Sequence, residues 1–116
     1  MRSLITGASK GIGRAAALRL AVPGAKLALG ASTHSDELKE VIREAEAKGA
    51  EAIPVIGDLS DLDVPGKIAA ESVKAFDGLD AVISNAGISI PSAIEDIKLE
   101  NWDRVFAVNV RAPMLL

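Results

Sequence analysis

A chain of 116 residues, 49% hydrophobic and 25% charged, has the size and make-up of one globular unit, which excludes two complete catalytic domains and a disordered tail. Thirteen Lys and Arg against sixteen Asp and Glu leave a formal net charge of -3, so nucleic acid and anionic membrane are poor partners. There is no cysteine, hence no disulfide framework or thiolate site, and no tyrosine, hence no phenol chemistry from this chain alone. A cysteine-free chain suits a reducing compartment, and a cytoplasmic location is expected.

Ser3 to Thr6 is a short apolar strand that stops at Gly7, and Ile12 to Val22 follows with small and apolar residues on nearly all sides, the pattern of a buried helix. The alanine-rich stretch Arg14 to Ala25 is not expected to be a secretory signal, because Gly7, Lys10, Gly11, Gly13, Arg14 and Arg19 interrupt every window an apolar core would need. Nor does any run approach the ~18 apolar residues that span a bilayer, so a soluble chain is expected. Pro23-Gly24 stops the helix, and Ala25 to Gly30 is a second strand. Ser35 then stands as an N-cap before Asp36 and Glu37, with Leu38, Val41, Ile42 and Ala45 at helical spacing as far as Lys48-Gly49. Ala52 to Ile56 is a third strand. Val64 to Phe76 is a helix with Ile68, Ser72, Ala75 and Phe76 on one face, ended by Asp77-Gly78. Leu79 to Ser84 is a fourth strand, broken only by Asp80 and running into Asn85-Ala86-Gly87. Ile88 to Glu100 is a loop with Pro91, of the kind that lines a site. The last helix starts near Leu99 and carries Trp102, Val105, Phe106 and Asn109 on one side; the first three are expected to be core or helix-packing residues, not a substrate box.

Short strands without polar alternation, separated by helices of crossover length, point to a parallel sheet covered on both faces. Between the first strand and the first helix lies Thr6-Gly7-Ala8-Ser9-Lys10-Gly11-Ile12-Gly13, where free amides and the helix dipole suit an anion. Gly7 serves a tight turn, Gly11 the approach of backbone to ligand, and Gly13 the close packing of helix on strand. As three spaced glycines alone, the loop is also compatible with having no ligand. Asp58, Asp61 and Asp63 lack the pattern of a calcium loop and are expected to cap the following helix, so no metal is assigned. His34, the only histidine, is an ordinary turn residue on this reading.

The sequence resembles the short-chain dehydrogenases/reductases, whose nucleotide loop reads Thr-Gly-x-x-x-Gly-x-Gly. Thr6, Gly7, Gly11 and Gly13 match it, followed in order by Asp58-Leu59, Asn85-Ala86-Gly87 and Asn109 within Val108-Asn109-Val110. The likeness covers the whole chain, residues 1-116, but only the N-terminal half of the family's fold. It implies an α/β, Rossmann-like, doubly wound parallel sheet, incomplete at about four strands with crossover helices. It also implies that Gly7 to Ile12, with Ser9 and Lys10, carries a pyrophosphate, that Asp58 and Leu59 hold the adenine, and that Asn85, Ala86 and Gly87 border the ribose and stabilise the sheet.

The choice of cofactor is a matter of charge. Dinucleotide folds that use NAD place an acid at the end of the second strand, to accept from the ribose 2'-hydroxyl. Here that end reads Gly30-Ala31-Ser32-Thr33-His34, without one, while Asp36 and Glu37 fall in the first turn of a helix. Lys10 stands where similar NADP-using members carry a basic residue, and Ser32 can donate to a phosphate oxygen. NADP is therefore expected over NAD; the plain alternative is a solvated lysine and a turn serine.

The family's reaction, as the resemblance implies, moves a hydride between nicotinamide and a carbonyl or alcohol carbon, with a tyrosine as acid/base. A phenol of ordinary pKa near ~10 needs a cationic neighbour for that work, which a Tyr-x-x-x-Lys pair provides. That pair lies beyond the helix on which this chain stops, so the chain is expected to be an inactive, truncated nucleotide-binding half. Of the implied catalytic set only Asn109 matches, as a holder of water and lysine in a proton relay or as a helix-kinking residue bonded to backbone. The fourth strand is expected to be an unpaired edge and the last helix to lack a partner, which favours association. A homo-oligomer through Leu99 to Leu116 resembles a family habit. The alternative is a non-catalytic dinucleotide-binding or redox-sensing module.

Overall fold

The computed structural model describes residues 1–116. Four parallel strands, β1 (Arg2–Ile5), β2 (Lys26–Ala31), β3 (Glu51–Ile56) and β4 (Ala81–Ile83), stand in the order β3-β2-β1-β4. Three helices make the crossovers: α1 (Gly11–Leu20), α2 (Asp36–Ala47) and α3 (Val64–Phe76). A final helical stretch runs from α4 (Leu99–Phe106) through a π-helical segment, Ala107–Arg111, into α5 (Ala112–Leu115). The α/β class, the parallel sheet and its doubly wound form agree with the sequence reading.

Alternation along each strand divides the core into two layers. Ile5, Leu27, Leu29 and Ala52 point to one face, where Ala17, Ala21, Leu38, Val41 and Ala45 of the first two crossovers cover them. Leu4, Ala28 and Val55 point to the other, against Ile68 and Phe76 of α3. Burying one Leu or Val contributes about 1.5–3 kcal/mol, against about 0–1 kcal/mol for an exposed ion pair, so these layers and not the surface charges hold the helices on the sheet. Pro54 sits in β3 opposite Leu29 of β2. A residue without an amide is tolerated there because β3 is an edge strand.

Ser35 caps α2 as expected, its hydroxyl accepting from the Leu38 amide at 3.2 Å. The acids before α3 behave differently: Asp63 occupies the N-cap position without a side-chain bond, and Asp61 accepts from the Asp63 amide at 3.0 Å, a turn within the loop. On α3 the buried line is Pro65, Ile68, Ser72 and Phe76, and Ala75 is exposed. The first helix is not buried all round; only Gly13 and Ala17 are, because small residues let a single strip lie close to the sheet.

β4 is an edge, paired only with β1, as the strand count implied. The last helix does have a partner. Ala107, Val108 and Ala112 are buried, and Leu116 packs against the layer that contains Ile68 and Phe76. Trp102 and Phe106 stack on each other, ring centres 4.6 Å apart, but remain 51% and 46% exposed. They are not core; small residues on another face of the helix take that place. No helix is long and apolar enough to cross a membrane.

Asp80, the residue that interrupts the fourth apolar run, is tied to Arg2 at the start of the sheet. Its carboxylate accepts from the Arg2 amide at 2.7 Å and from the guanidinium at 2.7 and 3.2 Å, while Arg2 also donates to the Asp77 carbonyl at 2.6 Å. These bonds hold the Asp80 carboxyl at a pKa of about 2. A carboxyl depressed in the fold stabilises it above the ordinary aspartate range and loses that contribution as pH falls through the folded value. The melting temperature of Asp80→Asn is therefore expected below that of the parent at neutral pH, with the gap closing between pH ~4 and pH ~2. Melts at several pH values check this; a gap that stays constant would show that the charge is not responsible.

Candidate active site: the cleft at the ends of the strands

All four strands end at one cleft. Thr6 and Gly7 follow β1, Gly30 and Ala31 close β2, Gly57 and Asp58 follow β3, and Asn85 and Ala86 follow β4; all line a cavity of about 380 Å³. The chain winds from β1 outward to β3, then returns to the far side of β1 for β4, so the cleft opens where the winding reverses. In an open parallel sheet that is the place where ligands bind.

The loop after β1 is shaped by glycine. Gly7 and Gly11 have φ of +65° and +57°, the left-handed region that disfavours side chains. A Cβ on Gly13 would stand 2.1 Å from the Gly7 carbonyl oxygen and 2.5 Å from Asn85 Nδ2, so only glycine lets α1 begin this close to the end of β1. At Gly11 a Cβ would meet nothing within 4 Å, which leaves an open cradle at the start of the helix. The first-turn amides of α1 have no intrahelical acceptor, and Lys10 precedes them in extended conformation.

Thr6 and Asn85 fasten β1 to the loop after β4. The Thr6 hydroxyl accepts from the amides of Asn85 and Ala86, both at 3.1 Å. Asn85 Nδ2 donates to the carbonyls of Thr6 at 3.0 Å and Gly7 at 3.2 Å. Farther along, Asn109 pairs with the backbone of Ile88: Oδ1 accepts from its amide and Nδ2 donates to its carbonyl, each at 2.9 Å. Asn109 lies within the π-helical segment, an irregularity that often marks a functional position in a helix.

Of the residues singled out from sequence, Thr6, Gly7, Ser9, Lys10, Ser32, Asp58, Leu59, Asn85, Ala86 and Gly87 line the cleft. Gly13 lies beneath the loop, and Ile12 is 81% exposed on the outer side of the first helical turn, so neither is part of the wall. Gly11 and Asn109 also stand outside it; Asn109 lines a neighbouring groove with Ile88, Trp102, Val105 and Phe106. The one-sided pattern on the last helix thus marks a groove wall, not a packed core. Sequence reasoning missed Arg104. It reaches the cleft from α4, donating to Asp58 Oδ2 at 3.1 Å and to the Ser60 hydroxyl at 3.0 Å. Asp58 Oδ1 accepts from the Ser60 hydroxyl at 2.7 Å and its amide at 2.9 Å, and these bonds, then Arg104, hold the carboxyl below the usual range. Nothing in the spacing of the sequence connects position 104 with position 58.

Known proteins share this arrangement. The family model for short chain dehydrogenase matches residues 2–116. The chain belongs to the short-chain dehydrogenase family. It is 45% identical over 112 residues to glucose 1-dehydrogenase of Gluconobacter oxydans, covering 97% of this chain and 42% of that protein. A short chain dehydrogenase from Burkholderia cenocepacia, solved in complex with NADP, superposes with a TM-score of 0.93 at 36% identity, covering 98% of this chain and 46% of the other. A metagenomic short-chain oxidoreductase, also in complex with NADP, gives a TM-score of 0.90 at 36% identity, with 98% and 51% covered. The chain spans less than half the length of the curated relative.

The junction at Thr6 is open to direct test. Thr6→Val keeps the shape but leaves two amides without an acceptor, and a buried unsatisfied polar group costs about 1–3 kcal/mol. Thr6→Val is expected to lose stability of that order in denaturant melts, and Thr6→Ser to recover most of it. Parent-like stability in Thr6→Val with a loss confined to Thr6→Ser would assign the effect to the methyl group and its packing.

Proposed function

We propose that this chain is the nucleotide-binding half of a short-chain oxidoreductase that moves hydride between NADP(H) and a carbonyl or alcohol substrate. The observation that carries the reading is the wall formed by Lys10 and Ser32, at the end of a strand that bears no acid, beside the open cradle at Gly11. The residues suit a dinucleotide in charge, and the space at Gly11 leaves room for a phosphate beside the start of the helix. Bound there, NADP(H) would supply the carbon that gives or accepts the hydride.

On this reading the first-turn amides of α1 and Ser9 hold the pyrophosphate, and Lys10 and Ser32 hold the 2'-phosphate. Asp58 and Leu59 border the base, and Asn85 to Gly87 border the ribose. Asn109 steadies the chain at Ile88, next to the place where a substrate would enter. The NADP complexes of the Burkholderia and metagenomic relatives support the cofactor. The non-catalytic alternative is not favoured, since the similar Gluconobacter oxydans protein is a glucose 1-dehydrogenase. With no tyrosine in the sequence, the 116 residues bind the cofactor but do not turn over. Association through the Leu99 to Leu116 stretch and a cytoplasmic location complete the proposal.

Calorimetric titration of the 116-residue chain with NADPH and NADH, alongside an oxidation assay, tests it. NADPH is expected to bind at least about tenfold more tightly than NADH, a gap that Lys10→Met narrows, and no oxidation is expected. Equal binding of the two would remove the role given to Lys10 and Ser32. Absence of binding by a cooperatively folded chain would overturn the dinucleotide assignment.

A further inference from the structure

Ile88 is shared by two hollows. On one side it lines the cleft at the strand ends, and on the other a groove of about 460 Å³ between its own loop and the last helix. A molecule in the groove is therefore a neighbour of one in the cleft. The groove wall is mainly Ile90, Pro91, Ile97, Trp102, Val105 and Phe106. Trp102 and Phe106 remain about half exposed although their rings stack, with planes 26° from parallel. A bare aromatic pair of this kind can extend its stack by a further ring.

The polar groups of the groove are few and unevenly placed. Asn109 already has both amide atoms engaged with the Ile88 backbone, each at 2.9 Å. A polyol needs partners for many hydroxyls, and each left unpaired lowers its affinity. Lys98 is the one charged residue in the wall, exposed and in none of the ion pairs of the structure. Its carbonyl accepts from the Trp102 amide at 3.1 Å, so Lys98, Trp102 and Phe106 follow one another on one side of the helix, four positions apart. The cation thus ends the aromatic line, and about 16 Å of helix separates it from Asn109. A lone cation beyond apolar rings is complementary to an anion on an apolar body, and the interval has room for two fused rings.

We propose that this groove is the substrate side of the cleft and takes a carbonyl or alcohol compound built on an apolar ring system with an anionic group, rings against Trp102 and Phe106 and anion at Lys98. The inference rests on the NADP(H) reading of the cleft and adds the chemical class of the substrate. The reacting carbon then lies at the Ile88 and Asn109 end, next to the cofactor. Leu99, Val110 and Met114, also exposed on this stretch, are outside the groove wall, so association of the helix and occupancy of the groove use different residues.

Trp102 is the sole tryptophan, and there is no tyrosine, so its emission reports on the groove alone. The test is calorimetric titration of the 116-residue chain with 6-acetyl-2-naphthoate, 2-acetylnaphthalene and glucose, together with Trp102 emission and a separate titration with NADP+. The naphthoate is expected to quench Trp102 and to bind about fivefold more tightly than the neutral ketone, with no binding of glucose at the same concentrations. Lys98→Met is expected to bring the two ketones within about twofold, while Lys74→Met, the control for net charge on a distant helix, leaves the preference intact. Phe106→Ala should weaken both ketones about fivefold. Equal affinity for the two ketones, or glucose binding as well as the naphthoate, would overturn the inference. Trp102 emission that changes with chain concentration and ignores the ketones would also overturn it, by assigning the groove to a second copy. A chain that binds NADP+ and neither ketone would overturn the inference and leave the cofactor reading standing; one that binds the naphthoate and not NADP+ would overturn both, since no hydride donor would then lie beside the groove.

Discussion

The molecule turns on an absent side chain. At Gly13 the end of β1, the first turn of α1 and the amide of Asn85 meet in a space that would place a Cβ 2.1 Å from one backbone oxygen and 2.5 Å from the Asn85 nitrogen. Because α1 can begin there, the loop from Gly7 to Gly11 is forced into a tight curve, with left-handed backbone at each end. The same approach lets one asparagine reach two successive carbonyls of β1's exit, while Thr6 returns two bonds to the β4 loop. Loop curvature, helix position and the β1-to-β4 seam are consequences of a single packing contact, and the cleft is the space that remains.

The charges around that cleft fall into two kinds. Lys10 stands at the start of α1 and lines the cleft without an ion-pair partner in the structure. Asp58 is the reverse, engaged by Ser60 and Arg104. Arg2 with Asp80 and Arg14 with Glu44, at 2.7 and 2.6 Å, lie away from the cleft and tie neighbouring elements together. An acid and a base near each other therefore have different meanings in this fold, according to whether the strand ends or the outer surface brings them together.

The last helix shows where periodicity stops being informative. Its pattern does place Trp102, Val105, Phe106 and Asn109 on one side, but that side faces the loop at Ile88 to Ser92, while Ala107, Val108 and Ala112 take the buried one. Large apolar residues score as core in any sequence pattern, whereas alanine is neutral in one. The close approach of small residues to a neighbouring element needs the neighbour's position to be known. The acids after β3 depart from the expected capping role for a similar reason. Proximity in sequence points to the following helix, while the carboxylate of Asp58 is held by a guanidinium 46 positions away.

Four strands, three crossover helices and a ligand loop with glycines at fixed places are written in the sequence, because each follows from local periodicity and from backbone conformations only glycine adopts freely. So is the lack of an acid at the end of β2. What the tertiary structure alone decided is that β3 forms the edge opposite β4, which face of the last helix is buried, and which cation meets Asp58. Those are long-range contacts, set by how whole layers pack, and the spacing of residues along a chain carries no record of them until the layers come together.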